Sequence, residues 1–256
     1  MARYLHGMRR WWGSRGISVR SMLNCSLVSR HGVGNQADGT LQRAILGLHT
    51  MIGGEGPLSY AQNSSYQGGI VDVAKPIIEE EIAKKLDINQ LCPNGLMNSF
   101  WIADFGCSTG HNSFPAIQMI TRFLQQKFQS ERLVSQIPDF YVFFNDQVKN
   151  DFNTLFCSLP PKRQYQAVGL PGSYHGRLLP KASLHFAYSS AALQWLSQVP
   201  KVVVDPNSPA WNKGRVHYLG ARQEVVDAYS SQHAKDIETF LEANGPCSSR
   251  CNPYKR

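Results

Sequence analysis

"ADFGCSTGHNSF", residues 103–114, closes the apolar run Phe100-Trp101-Ile102 and opens a segment with helical spacing. Glycines placed where a strand turns sharply into a helix let a ligand approach the backbone closely. The spacing is Gly106-x-x-x-Gly110. It is neither the dinucleotide-binding G-x-G-x-x-G nor a Walker loop, which needs Gly-Lys-Ser/Thr. Asp104 precedes the glycines, and a second acid, Asp146, ends the next apolar run, "DFYVFFND". Two acids so placed suit a cationic or hydroxyl-rich ligand better than a pyrophosphate. S-adenosylmethionine, with its amino acid head, sulfonium and ribose diol, is such a ligand. Spacing alone leaves a second reading open, with Asp104 as a helix cap and Asp146 as a turn residue.

Around this stretch the pattern alternates. Ile70, Val71, Val73, Ala74, Ile77, Ile78, Ile82 and Leu86 recur at three- and four-residue spacing, which predicts an amphipathic helix over 66–86 that Pro76 bends or divides. "SFWIADF" reads as a fully buried strand, and the helix after it carries Phe114, Ile117, Ile120, Phe123, Leu124 and Phe128 on one face. "DFYVFFND" reads as a strand, "DFNTLFCSL" as a short helix, and "QAVGL" and "SLHFAYSS" as two further strands, with His185 a structural strand histidine. "SAALQWLSQV" is expected to be helical up to Pro200, and a last helix runs from about Glu224 to Leu241. Strands alternating with helices predict an α/β fold with a mostly parallel sheet. In such sheets ligands sit beyond the carboxyl ends of the strands, where both Asp104 and Asp146 fall.

A chain of 256 residues with 42% hydrophobic content can bury one large core. Its net charge of +8 is uneven: residues 1–50 hold seven Arg, no Lys and one acid, Asp38, leaving +2 for the rest. The body is nearly neutral, which argues against nucleic acid as a partner. Residues 1–50 are Arg- and Ser-rich and acid-poor, the composition of an organelle-targeting segment or of a disordered basic leader. No stretch reaches the roughly 18 apolar residues of a membrane span, so a soluble protein with no membrane partner is expected, cytoplasmic unless the leader directs it to an organelle. Cys25, Cys92, Cys107, Cys157, Cys247 and Cys251 are scattered and read as reduced thiols. The closing "CSSRC" lacks the second ligand pair of a zinc site.

"MIGGEGPLSYAQNSSYQ", "ADFGCSTGHNSF", "FYVFFNDQVKNDFNTLFCSLPP", "GLPGSYHGRLLPKASLHFAYSSAALQWLSQVP" and "WNKGRVHY" occur in the order found in the plant SABATH methyltransferases, and the chain resembles that family over about Met51 to Leu241. Within the family, "SYAQNSSYQ", "IADFGCSTG", "VFFND" and "NKGRVHY" lean toward loganate-methylating members. The resemblance implies a Rossmann-like class I methyltransferase fold, with helices on both faces of a parallel sheet. It implies three regions: a leader at 1–50, a partial methyltransferase domain at 51–243 and an irregular tail at 244–256. It also implies transfer of a methyl group from S-adenosylmethionine to the carboxylate of a small plant acid, such as loganate, salicylate, benzoate, farnesoate, jasmonate or indole acetate. Tyr60 and Ser64 would line the methionine end of the cofactor, and Asp104, Cys107 and Asn112 would follow the turn around it. Asp146 would hold the ribose hydroxyls with Gln147 beside it, and Ser173 and Tyr174 match a Ser-Phe pair that flanks the adenine. Gln67 and Trp195 match positions that hydrogen-bond the substrate carboxylate, Tyr60 serves both pockets, and Gln194 faces the acceptor. Asn212 matches a position contributing to a metal site, Mg2+ being the candidate ion, although its other ligands would lie outside this sequence. Relatives often dimerise, so a homodimer is conceivable.

Each residue has a structural alternative: Cys107 as a small buried filler, Trp195 as a core aromatic and Gln67 as a solvated helix residue. Three departures from the family pattern stand out. His111 occupies the position of a Pro in Gly-Pro-Asn. Gln194 replaces a His or Met, beside Ala191 in place of a Tyr, which predicts a roomier or more polar acceptor pocket. After "DIETFLEA" the family continues into a strand and a helical cap, whereas here "NGPCSSRCNPYKR" follows; the expected sheet is incomplete at that end and lacks most of the cap. A catalytically inactive methyltransferase-like chain that binds cofactor or a homologous partner is therefore the alternative. A nicotinamide dehydrogenase ranks third, since G-x-G-x-x-G is missing.

Overall fold

The computed structural model describes residues 51–91, 97–131, 137–215 and 217–244. The expected leader over 1–50, nearly all of the expected tail, and Cys25, Cys92, Cys247 and Cys251 lie outside these residues. Two short helices flank a long one: α1 (Tyr60–Asn63), α2 (Ser65–Lys85) and α3 (Ile88–Leu91). Then come β1 (Ser99–Phe105), α4 (Ser113–Glu131), β2 (Asp139–Asp146), α5 (Phe152–Cys157) and β3 (Gln166–Pro171). The last elements are β4 (Phe186–Tyr188), α6 (Lys201–Val204) and α7 (Gln223–Asn244).

The four strands form one sheet in the order β3-β2-β1-β4, and all pairs are parallel. The chain runs outward from β1 to β3 and then returns to the other side of β1 for β4. The strand order therefore reverses at the carboxyl ends of β1 and β4, the place where open α/β sheets bind ligands. Alternation along β1 and β2 divides the sheet into two faces. Phe100, Ile102, Phe140, Val142 and Phe144 join Val71, Ile78 and Ile82 of α2 and Ile117, Ile120 and Leu124 of α4 in one core. Ala103, Phe105 and Phe143 pack with Tyr174, Leu184 and Phe240 of α7 in the other. The expected α/β architecture with helices on both faces is the one observed.

Helix α4 buries every apolar residue expected of its inner face, Phe114, Ile117, Ile120, Phe123, Leu124 and Phe128. Helix α2 is one continuous helix with Pro76 inside it, so Pro76 does not divide it. Its buried stripe is narrow, comprising Val71, Ile78 and Ile82, while Val73 faces solvent. Surface pairs Glu80–Lys84 and Glu81–Lys85 at i,i+4 spacing support the turns after the proline.

The expected helix over 190–199 is not formed. Ala191 has φ of 55°, a left-handed conformation that a helix excludes. The backbone groups a helical ladder needs are engaged elsewhere: the Tyr174 hydroxyl donates to the Ala192 carbonyl and the Ser197 N–H donates to Asp236. The helix in this region, α6, starts after Pro200 instead, with Pro200 as its N-cap. His185 is structural, as expected. Its Nδ1 accepts the Trp101 N–H at 2.9 Å, its own N–H donates to the Trp101 carbonyl at 3.0 Å, and burial pushes its pKa down.

Phe240 meets Phe105 and Tyr174 edge-on at 5.0 and 6.1 Å, which docks α7 under the β1 turn. Phe240→Ala should destabilise the chain by about 3–5 kcal/mol, the usual cost of emptying a buried aromatic site. Val73→Ala, at an exposed position, should stay within about 0.5 kcal/mol. Urea unfolding followed by circular dichroism checks both.

Candidate cofactor and acceptor site

The turn after β1 is held by backbone bonds that only a particular geometry permits. The Gly106 and Cys107 N–H groups both donate to the Asn145 carbonyl at 2.9 Å, across the β1–β2 register. Gly106 has φ of +88°, and a Cβ there would lie 2.1 Å from the Ala192 methyl. Gly110 has φ of +89°, and a Cβ there would strike the Phe114 ring. These two glycines let the chain turn from strand to helix with another segment pressed against it.

Asp146 receives the Ser108 N–H on Oδ2 and the Gln147 N–H on Oδ1, each at 2.7 Å. The second acid is thus tied into the first turn and does not hang free at a strand end. Burial nonetheless raises its pKa, against the lowering effect of those two N–H groups. Asn145, fully buried, donates from Nδ2 to the Leu170 and Gly172 carbonyls at 2.7 and 3.0 Å and so ties β3 to the same point.

Asp104 is 2% exposed and its Oδ2 has no hydrogen-bond partner. Burial pushes its pKa up to about 7, with Ser113 opposing the rise and the Asp146 charge adding to it. The Ser113 hydroxyl also donates to the Cys107 carbonyl at 3.2 Å. A protonated Asp104 can donate to Ser113 while Ser113 donates onward; an ionised Asp104 competes with Cys107 for the single hydroxyl proton. The Cys107 thiol, buried between the two carboxylates, has its pKa pushed well up and is a neutral, non-nucleophilic lining group.

Tyr60, Gln67, Val71, Asp104, Gly106, Cys107, Asn112, Ser113, Tyr188 and Ser190 surround one narrow cleft that opens to solvent. Behind it, Asn112 Nδ2 donates to the Ser64 hydroxyl at 2.9 Å and to the Ser64 carbonyl at 3.2 Å. The Tyr60 hydroxyl meets both Asn112 and Ser64, and burial raises its pKa. Gln67 Oε1 is buried without a partner, so it is not the solvated helix residue of the structural alternative. Tyr60, Ser64, Gln67, Asp104, Cys107 and Asn112 are therefore brought together, with Asp146 bound to the adjoining turn.

Other expected residues lie elsewhere. Ser173 is exposed, its Oγ accepting the His175 N–H at 3.3 Å. Tyr174 is 6% exposed in the second core, between Phe240 and the Ala192 carbonyl. The Gln147 side chain is half-buried beside Asp146. Gln194 and Trp195 do not line the cleft: Gln194 turns back to the Ala191 carbonyl and Trp195 is 45% exposed, so Trp195 is not a core aromatic either. The cause is the missing helix, because the loop path turns these side chains away. Asn212 is 5% exposed, and its Nδ2 donates to the Arg215 and His217 carbonyls at 2.7 and 3.1 Å. That amide closes its own loop, no cluster of three His, Cys, Asp or Glu side chains able to hold a metal occurs among the described residues, and Mg2+ is not supported there. Tyr188, Ser190 and Ser113 line the cleft without having been singled out from the sequence. Tyr188 ends β4 and Ser190 follows it, and only the pairing of β4 with β1 brings them to the cleft.

With one unpartnered carboxylate oxygen, a second carboxylate close by and an unpartnered amide oxygen, the cleft offers acceptors in excess. It suits a ligand rich in N–H and O–H donors and carrying positive charge. That is the donor set of the S-adenosylmethionine head and ribose, so the residues fit the cofactor that the sequence implies. Among the described residues no helix is long and apolar enough to cross a membrane.

The model of one protein family, described as SAM dependent carboxyl methyltransferase, matches residues 47–245. Loganic acid O-methyltransferase from Catharanthus roseus is 50% identical over 195 residues, covering 76% of this chain and 52% of that relative. Farnesoic acid carboxyl-O-methyltransferase from Arabidopsis thaliana is 49% identical over 194 residues, covering 76% and 54%. A solved structure of loganic acid methyltransferase with SAH matches at a TM-score of 0.69 and 50% identity, covering 75% of this chain and 54% of that one. The chain spans about half the length of the curated relatives it matches.

The Asp104 shift has a measurable sign. Its folded pKa of about 7 lies above the ordinary carboxylate value near ~3.9, so its contribution to stability is full below about pH 4 and is lost as pH rises toward 7. Ligand-free protein should therefore lose melting temperature across that window on account of Asp104. Asp104→Asn should flatten the loss and exceed the parent in stability at pH 8, as read by thermal melts in a pH series.

Proposed function

Because the chain belongs to the SAM-dependent carboxyl methyltransferase family, we propose that it binds S-adenosylmethionine at the ends of β1 and β2 and methylates the carboxylate of a small plant acid, loganate or farnesoate being the first candidates. The observation that carries this reading is the buried Asp104, which lines the family-matched cleft and whose Oδ2 has no hydrogen-bond partner.

When bound, S-adenosylmethionine supplies a methyl group on sulfonium to a carboxylate oxygen; the S–CH3 bond breaks, its electron pair stays on sulfur, and the products are a methyl ester and S-adenosylhomocysteine. The residues of the chain hold and orient. Asp104 would hold the ammonium of the methionine head, with Tyr60, Ser64 and Asn112 flanking that end. Asp146 would hold the ribose hydroxyls, with Gln147 beside it. By the family pattern Ser173 and Tyr174 would border the adenine side, with Tyr174 packed into the second core behind it. Gln67 presents its amide to the acid, with Tyr60 at the boundary between the two pockets, and Trp195 and Gln194 approach the acceptor only if the loop that bears them turns inward. No general base is needed, since a carboxylic acid with a pKa near ~4 is already ionised at neutral pH. Positioning is the main source of rate, worth up to ~7–11 kcal/mol for well-aligned reactants.

A second reading, cofactor binding without turnover, is favoured by one observation: Trp195 is 45% exposed and outside the cleft. Calorimetry with S-adenosylhomocysteine, followed by methyl transfer to a panel containing loganate, farnesoate, salicylate, benzoate, jasmonate and indole acetate, separates the two. Binding plus ester formation is expected; binding with no ester from any acid selects the second reading, and no binding overturns both. Asp104→Asn should weaken S-adenosylmethionine binding about 10- to 100-fold, the loss of a charge-assisted hydrogen bond of roughly 1.5–3 kcal/mol.

A further inference from the structure

Residues 189–198 run from the cleft to α6 with no helical ladder to hold them. Their path is set by bonds from distant elements. Ser189 Oγ donates to the Phe105 carbonyl at 2.8 Å, the Tyr174 hydroxyl to the Ala192 carbonyl at 2.8 Å, and a ring nitrogen of His233 meets the Leu193 carbonyl at 3.2 Å. The densest group lies at Ser197. Asp236 of α7 accepts the Ser197 N–H on Oδ2 at 2.9 Å and the Ser197 O–H on Oδ1 at 2.6 Å. Gln232 Nε2 donates to the same Oδ1 at 2.9 Å and to Ser197 Oγ at 3.3 Å, while its Oε1 accepts from Gln198 at 3.3 Å.

Asp236 is 5% exposed, and none of the ion pairs among the described residues includes it. A carboxylate buried without a cation is costly unless hydrogen bonds satisfy it, and here three donors converge on it. A neutral amide in its place would turn an N–H group toward one of those donors. Asp236 thus serves where a donor-free, two-oxygen grip on one residue is required, and the residue gripped ends the loop that bears Ser190, Gln194 and Trp195.

Resting on the function proposed above, we propose that Asp236, with Gln232, is a positioning residue for the acceptor side of the site: its grip on Ser197 fixes the far end of 189–198, the loop that brings Ser190 to the cleft and passes Ala192 across the mouth of the Gly106 turn. The loop is pinned at Ser189, Ala192 and Leu193 on one side and at Ser197 on the other, so freeing Ser197 loosens 194–198 at its far end while the β1 turn keeps its own bonds. Misplacement by about 1 Å at such a distance from the chemistry can cost up to ~10²-fold in rate.

The test uses the full chain with Asp236→Asn, Ser197→Ala and the double substitution. Amide exchange by mass spectrometry is read for 189–198 and 99–114, S-adenosylhomocysteine affinity by calorimetry, and KM and kcat on the acid that the parent methylates. Asp236→Asn should speed exchange in 189–198 about tenfold, leave 99–114 and the S-adenosylhomocysteine Kd within about twofold, and raise the acid KM more than it lowers kcat. The double substitution should be no worse than Asp236→Asn alone, because both remove one coupled contact. Unchanged exchange in 189–198 overturns the proposal. So does equal acceleration in 99–114 with a matching loss of cofactor affinity, for Asp236 then merely supports the fold. If Asp236→Asn fails to fold, Ser197→Ala alone must still loosen 189–198, and no change there overturns it. A parent that methylates no acid defeats the proposed activity, while the exchange comparison still decides the positioning role.

Discussion

The site depends on Asn145, a fully buried amide at the end of a central strand. Its carbonyl takes two N–H groups from the β1 turn, and its side chain supplies two N–H bonds to the exit of β3. Three strand ends are therefore fixed to one residue. Asp104 and Asp146 stand on either side of this knot, and the Ser108 and Gln147 N–H groups hold the Asp146 carboxylate to it as well. Burying an amide is tolerable because both Nδ2 protons are used; its Oδ1 has no partner and adds to the acceptors left open near the site.

An excess of acceptors is an unusual thing for a fold to retain. Each unmatched carboxylate or amide oxygen raises the free energy of the ligand-free protein, and a cationic, hydroxyl-rich ligand recovers that cost when it binds. At the site the strain is electrostatic and local, centred on the β1 and β2 ends and on Gln67 of α2. The two cores beneath are ordinary apolar packing, Phe100, Phe140 and Phe128 on one face and Phe105, Tyr174 and Phe240 on the other. Helix α7 joins the two levels: Phe240 seals the second core, and Asp236 and Gln232, a turn or two earlier, hold the segment above it.

Much of this was legible from residue pattern. β1 and β2 are continuous apolar runs and α4 has one apolar face from Phe114 to Phe128; the structure gives both strands the bounds of those runs and buries that face. Tyr60, Ser64, Gln67, Asp104, Cys107 and Asn112 do gather at one cleft. The failure over 190–199 has a physical cause. Ala191, Ala192, Leu193 and Leu196 offer helical spacing, but a left-handed residue and bonds from Tyr174 and Asp236 override a weak local preference. None of those partners is near in sequence. Tyr188 and Ser190 were missed for a related reason: that β4 returns beside β1 is a property of topology, and nothing in "SLHFAYSS" itself states which strand it joins.

The contact between Gly106 and Ala192 has a consequence for how this turn can vary. The space that glycine leaves vacant is filled by one methyl group from a segment 86 positions away, with no slack between them. The two sites behave as a single unit of sequence choice. A bulkier side chain at either one displaces the other, and drift in a lineage must pass through paired substitution or leave both small. Whatever diversity in acceptor recognition evolves in the loop must therefore arise on either side of residue 192, where side chains are not committed to the backbone of the turn.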